Sequence, residues 1–251
     1  MVTSKGQVLW NKAKKVIAGG NSLLSKRPDM HLPNQWPSYF SSAKGCEIWD
    51  LDGLKYKDMG IMGIGTNILG YGNVHVDQAV IDTVRKGNMS TLDCPEEVEL
   101  AERLIDLHPW SDMARFARSG GEANSIAIRI ARAATGKEKV AVCGYHGWHD
   151  WYLATGLENS SGLDEHLIKG LRPLGVPKNL KGTSIPFSYN KLDQLDEIIK
   201  TNDLAAVKME VQRSIPPDYG FLEGVRVVTM SESHKHSCKL LQTSIATPCD
   251  W

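Results

Sequence analysis

The stretch from Met113 to Cys143, MARFARSGGEANSIAIRIARAATGKEKVAVC, limits most tightly what this chain can fold into. A short apolar run enters Ser119, Gly120 and Gly121, a long helix-periodic segment closes at Gly136, and Lys139–Cys143 is a compact buried-strand candidate. Further on, LDQLDEIIK predicts another helix and LAAVKMEV the next strand. Strands alternating with helices in this way point to an α/β fold with a mostly parallel sheet.

Ser119, Gly120 and Gly121 stand where a strand gives way to a helix, so free backbone N–H groups and the positive end of the helix dipole converge there. Glycine lets the backbone approach a bulky oxyanion. The dipole contributes about 0.3–1 kcal/mol when exposed, so an anion held there needs several N–H bonds acting together. The same residues also suit a plain N-cap and a tight turn. CGYHGWHD, Cys143 to Asp150, follows the buried strand at its carboxyl end, where open α/β folds bind ligands. Tyr145, His146, Trp148 and His149 offer flat faces for a ring. His146, His149 and Asp150 are residue types that coordinate zinc, although His-x-x-His on a glycine loop is weak evidence of a metal, as are His234, His236 and Cys238 near the C-terminus. Glu210 ends the LAAVKMEV strand, again at a carboxyl end, and suits a ligand-facing acid or a plain surface one. Gly63, Gly65, Gly70 and Gly72 lack the Gly-x-Gly-x-x-Gly spacing and a preceding strand, so a dinucleotide motif is disfavoured.

Around this centre, Leu9, Ala13, Val16 and Ile17 recur at helical spacing before Gly19-Gly20, and GCEIWDLDGLKYKDM predicts a hairpin turning at Asp52-Gly53. Val76, Ala79, Val80 and Val84 mark a helix capped by Gly87, and PEEVELAERLIDLHP another beginning near Pro95. With 251 residues the chain can bury a sizeable core, and 29 basic residues balance 29 acidic ones, unlike a nucleic-acid binder. Five scattered cysteines without a Cys-x-x-Cys pair suggest reduced thiols in a cytoplasmic protein. No signal-peptide core and no membrane-length apolar run is visible. Beyond Arg226 the composition turns Ser- and Thr-rich, and no further α/β alternation is expected.

Taken together, AKGCEIWDLDGLKYKDM, ILGYGN, PEEVELAERLIDLHP, MARFARSGGEANSIAIRIARAATGKEKV, CGYHGWHD and GFLEGVR resemble the class III pyridoxal-phosphate aminotransferases, and within them the glutamate-1-semialdehyde 2,1-aminomutase branch. The resemblance spans roughly residues 7 to 226. It implies an incomplete aspartate-aminotransferase-like (PLP-transferase type I) fold: residues 1–62 as the N-terminal helix and hairpin of the small domain, 63–226 as a partial cofactor-binding domain, and 227–251 as a non-family tail. It implies pyridoxal 5′-phosphate as cofactor, with Ser119, Gly120 and Gly121 cradling the phosphate, Tyr145 stacking on the ring with His146 beside it, and Glu210 as a nearby acid. Ser22 and Arg27 lie in the segment resembling the substrate-side N-terminal region of the aminomutase branch. The implied partners are a small amino donor and a carbonyl acceptor, in a homodimer, with neither nucleic acid nor membrane.

Two positions depart from the family pattern: Gly121 where Thr or Ser is usual, and Val211 where Pro is common. Val227–Trp251 contains no Asp-Glu-Val, whose aspartate pairs with the pyridine nitrogen, and Lys235 and Lys239 lack the setting of the Schiff-base lysine. The resemblance therefore implies amino-group transfer for an intact member and little turnover by this chain alone, the alternative being a non-catalytic interaction fragment.

Overall fold

The computed structural model of the chain describes residues 4–60, 62–63, 65–88, 90–158, 172–212, 215–236 and 239–241. Two compact units are present, Met1–Cys94 and Pro95–Trp251.

In the first unit, α1 (Lys5–Val16) begins where Ser4 Oγ accepts a hydrogen bond from the Gln7 N–H. Ala13 is buried as its spacing predicted, but its companions are Gly6, Gln7 and Trp10, while Leu9, Val16 and Ile17 are exposed. Two anchors rotate the helix away from its apolar stripe. Gln7 Nε2 donates to the Trp36 carbonyl at 2.7 Å and to Ser38 Oγ at 3.2 Å, and the Trp10 ring lies so close over Gly20 that a Cβ there would come within 2.3 Å of it.

Strands β1 (Phe40–Lys44), β2 (Glu47–Asp50) and β3 (Lys55–Lys57) form an antiparallel sheet in that order, with the predicted hairpin between the last two. Buried Asp50 organises its turn, its Oδ1 accepting from the N–H groups of Asp52 and Leu54 and its Oδ2 from the Tyr56 hydroxyl. β1 was not foreseen, because FSSAK carries too few apolar residues to announce a strand. Gly45 and Tyr71 exchange backbone hydrogen bonds at 2.8 Å, and a Cβ on Gly70 would sit 3.2 Å from the Gly45 Cα. The glycines of this stretch thus serve chain approach and turns, without the strand–turn–helix setting of a dinucleotide site. Helix α2 (Val74–Lys86) has Asn73 and Gly87 as its caps, yet none of its residues is buried.

The second unit contains α3 (Pro95–Leu107), α4 (Gly120–Thr135), β4 (Lys139–Cys143), α5 (Asp150–Leu153), β5 (Ser184–Pro186), α6 (Leu192–Thr201), β6 (Leu204–Met209), α7 (Phe221–His236) and β7 (Lys239–Leu241). Its sheet runs β5-β4-β6-β7 with every pair parallel, as the alternation predicted. Val140, Val142 and Ala206 pack with Ile128 and Ala131 of α4 and with Trp151 and Tyr152. Ala141, Cys143 and Val207 pack on the opposite side with Phe187, Leu195, Phe221 and Val225. The period-two alternation of a strand thereby separates two cores.

Two expectations fail here. MARFAR forms no strand, since a strand needs a neighbour to complete its ladder and none of the described strands lies beside it. The composition break at Arg226 is not a structural break either. α7 runs through it to His236, and β7 then pairs with β6 in the register Ala206↔Lys239, so the α/β alternation does resume. The side chains of Lys235, Lys239, His234 and His236, and all of Cys238, lie outside the described residues. Among the described residues no helix is long and apolar enough to cross a membrane.

Lys208 breaks the apolar run of β6 and is 2% exposed. Burial drives its ammonium down to about 8 from 10.5, with Glu210 pulling weakly the other way. Below pH 8 both folded and unfolded chains hold the proton, and the fold bears the full difference of about 3 kcal/mol. Between 8 and 10.5 the unfolded chain binds more protons, so this penalty fades as pH rises. Lys208→Met is expected to raise the melting temperature by roughly 5–10 °C near pH 7, with a much smaller gain near pH 10; thermal melts of both proteins at the two pH values check this.

Candidate functional site

The α4 N-terminus is built as a donor cluster. The first helical bond runs from the Ala123 N–H to the Ser119 carbonyl, and Ser119 Oγ accepts from the Glu122 N–H at 3.3 Å. Gly120 and Gly121 therefore present their N–H groups ahead of the helical ladder. Ser119 is an N-cap, and since its hydroxyl accepts in that role, its own proton remains available to donate. The Glu122 carboxylate folds back on the Arg118 N–H at 2.8 Å, which directs its charge to that amide.

The loop after β4 closes over this helix end. Gly144 and Gly147 adopt φ of +88° and +104°. A Cβ on Gly147 would sit 3.1 Å from the Gly121 Cα, so two glycines form the contact between loop and helix. His146 is 1% exposed, and its Nε2–H donates to the Cys143 carbonyl at 2.8 Å, while Asn124 Nδ2 donates to the His146 carbonyl. Its ring faces Trp151 and Tyr152, so His146 shapes the loop from inside the core. Tyr145 is half-buried and meets Tyr152 edge-on at 5.9 Å.

Glu210 arrives from β6, whose last pair with β4 is Cys143↔Met209. Its Oε2 accepts from the Tyr145 N–H at 3.1 Å, and its backbone N–H donates to the Cys143 carbonyl at 3.2 Å. The carboxylate occupies the space beside Gly144, where a Cβ would come within 2.5 Å of Oε2. Beside it, burial above all, and the Glu210 charge second, push the Cys143 thiol up to about 12, so it stays protonated.

Sequence reasoning thus named a group that the structure brings together at one end of the sheet: Ser119, Gly120, Gly121, Tyr145 and Glu210, with His146 beneath them. Ser22 and Arg27 belong to the first unit. Ser22 is exposed, and Arg27 Nε and Nη2 donate to Asp29 at 3.3 and 2.6 Å, a hydrogen-bonded pairing that lowers the Asp29 carboxyl. The set His146, His149 and Asp150 does not form a metal centre: among the described residues no group of three or more His, Cys, Asp or Glu is placed to hold one. What the sequence reading missed is the pairing of His149 with Ser125, whose Oγ and Nδ1 are 2.6 Å apart, and the Trp151 Nε1–H that donates to the same hydroxyl at 3.1 Å. The only signal was helical spacing, with Ser125 one turn after Gly121.

Comparison with known proteins identifies the family. The class-III aminotransferase family model matches residues 33–232. A 3-aminobutyryl-CoA aminotransferase from Cloacimonas acidaminovorans is 32% identical over 95% of this chain and 54% of its own length. A glutamate-1-semialdehyde 2,1-aminomutase from Methanococcoides burtonii is 36% identical over 91% of this chain and 54% of its own. A solved transaminase with PLP bound superposes with a TM-score of 0.79 at 25% identity, over 96% of this chain and 55% of that one. The chain spans about half the length of the curated relatives it matches.

The Gly144–Glu210 contact gives a direct test. Gly144→Ala is expected to cost about 2–3 kcal/mol, from the left-handed backbone and the clash together. Gly144→Ala with Glu210→Ala should recover only the steric part. Urea unfolding midpoints of the single and double variants distinguish the two contributions.

Proposed function

The chain belongs to the class III aminotransferase family, and on that premise we propose that it carries the half-site that binds pyridoxal 5′-phosphate in an enzyme moving amino groups between an amine donor and a carbonyl acceptor. The observation that carries this reading is the pair of ladder-free N–H groups on Gly120 and Gly121, closed over by the glycine turn that presents Tyr145. The residues fit the cofactor: the contact of Gly121 with Gly147 leaves backbone where a side chain would fill the cradle. When bound, the cofactor supplies an aldehyde that couples to amines and a ring that withdraws electrons.

The remaining roles belong to the chain's own groups. Gly120 and Gly121 N–H, with the Ser119 hydroxyl, hold the phosphate. Tyr145 offers its ring as a stacking face, kept in place because Glu210 holds its backbone N–H. Glu210 and His146 act as positioning residues beneath the loop. Ser22 and Arg27 serve the substrate, and a carboxylate on that substrate would exchange with Asp29 on the Arg27 guanidinium. Val227–Trp251 contains neither an Asp-Glu-Val nor a lysine in the family's setting, which supports binding without appreciable turnover by this chain alone. A homodimer belongs to this reading as an expectation from the family resemblance.

Titration of the chain with pyridoxal 5′-phosphate, followed by absorbance, should show saturable uptake, and Gly120→Asp should weaken it at least about tenfold by placing a carboxylate against the phosphate. Borohydride reduction and peptide mapping should find no single lysine labelled stoichiometrically. Equal uptake by both proteins would overturn the cradle assignment.

A further inference from the structure

Position 121 has no side chain, and the space a side chain would take is filled from elsewhere. A Cβ on Gly121 would lie 3.1 Å from His149 Nε2 and 3.2 Å from its Cδ2. The imidazole edge therefore stands at the first turn of α4, beside the N–H groups that precede the helical ladder. Its opposite nitrogen is anchored. His149 Nδ1 lies 2.6 Å from Ser125 Oγ, which also receives the Trp151 Nε1–H at 3.1 Å and lies 3.0 Å from the Gly121 carbonyl.

The hydrogen count on Ser125 decides what the ring offers. The hydroxyl has one proton to give and two lone pairs to fill. Its proton goes to the Gly121 carbonyl one turn back on α4. The two lone pairs receive the Trp151 Nε1–H and the His149 Nδ1–H. Nδ1 is then a donor that fixes the ring, Nε2 is the nitrogen that faces the cradle, and a phosphate anion beside it favours the doubly protonated ring, which donates from both nitrogens.

We propose that His149 Nε2–H is a phosphate-binding donor of this site, filling the place left by the glycine at position 121, with Ser125 and Trp151 as positioning residues that fix the orientation of its ring. The inference rests on the cofactor reading above and concerns only how the phosphate is held. It accounts for the Gly121 departure noted in the sequence: the donor comes from the loop across the cradle, and a β-carbon at 121 would crowd the ring that supplies it.

The test compares pyridoxal 5′-phosphate with pyridoxal, which keeps the aldehyde and ring but lacks the phosphate. Dissociation constants of both are measured on the 251-residue chain by absorbance or fluorescence. His149→Ala should weaken pyridoxal 5′-phosphate by about tenfold or more while leaving pyridoxal unchanged, since a hydrogen bond to a charged group is lost. His149→Gln, which keeps an N–H donor, should recover part of that loss. Gly121→Thr alone should weaken phosphate-dependent binding by crowding the ring. In the His149→Ala background the same change should strengthen it, because a hydroxyl then has room to replace the imidazole. Unchanged pyridoxal binding and melting temperature show that the variants are folded. If His149→Ala leaves the ratio of the two affinities as in the unsubstituted chain, or weakens both ligands equally, the role of His149 is overturned while the cofactor reading stands. Absence of saturable pyridoxal 5′-phosphate binding by the unsubstituted chain overturns the cofactor reading and this inference with it.

Discussion

A carboxylate from one strand holding a backbone N–H of another strand's loop is the tie on which the site depends. Glu210 and Tyr145 are 65 residues apart in sequence, and the parallel pairing of β4 with β6 brings them to the same end of the sheet. Once Cys143 lies opposite Met209, the residue that follows β6 falls beside Gly144, and only a glycine leaves room for the acid there. The loop is then fixed from below by Glu210 and from within by the His146 bond to the Cys143 carbonyl. The Tyr145 ring takes its position from those two bonds, and the His149 edge from Ser125.

Most of this framework was legible in the sequence, because it is carried by local signals. Ser119 before a long apolar period, Gly136 after it, and the compact KVAVC run identify α4 and β4 without reference to the rest of the chain. The misses are the features that depend on partners. The face of α1 was misjudged because Gln7, a polar residue, is drawn inward by Trp36 and Ser38, which an apolar periodicity cannot register. MARFAR has strand composition but no neighbouring ladder. β7 has a neighbour without a strand-like sequence, which is the converse case.

The site shows the same division. Its glycines and its aromatic loop were recognisable as types, and their placement follows from the strand ends. The His149–Ser125–Trp151 cluster joins a loop, a helix and a second helix through side chains alone, so only the spatial arrangement reveals it. Lys208 is the opposite lesson: the lysine is plain in LAAVKMEV, but its cost becomes visible only when β6 is placed between two covered faces of the sheet.

Of the cysteines whose state is described, Cys46 and Cys94 are exposed, whereas Cys143 is sealed at the end of β4 beneath the site loop. Its thiol is masked both by lack of access and by a thiolate form suppressed by burial. An alkylating reagent would therefore discriminate among sulfurs according to whether the central sheet is closed. The protein carries its own chemical gauge of the site's integrity, at the residue from which the ligand-facing loop departs.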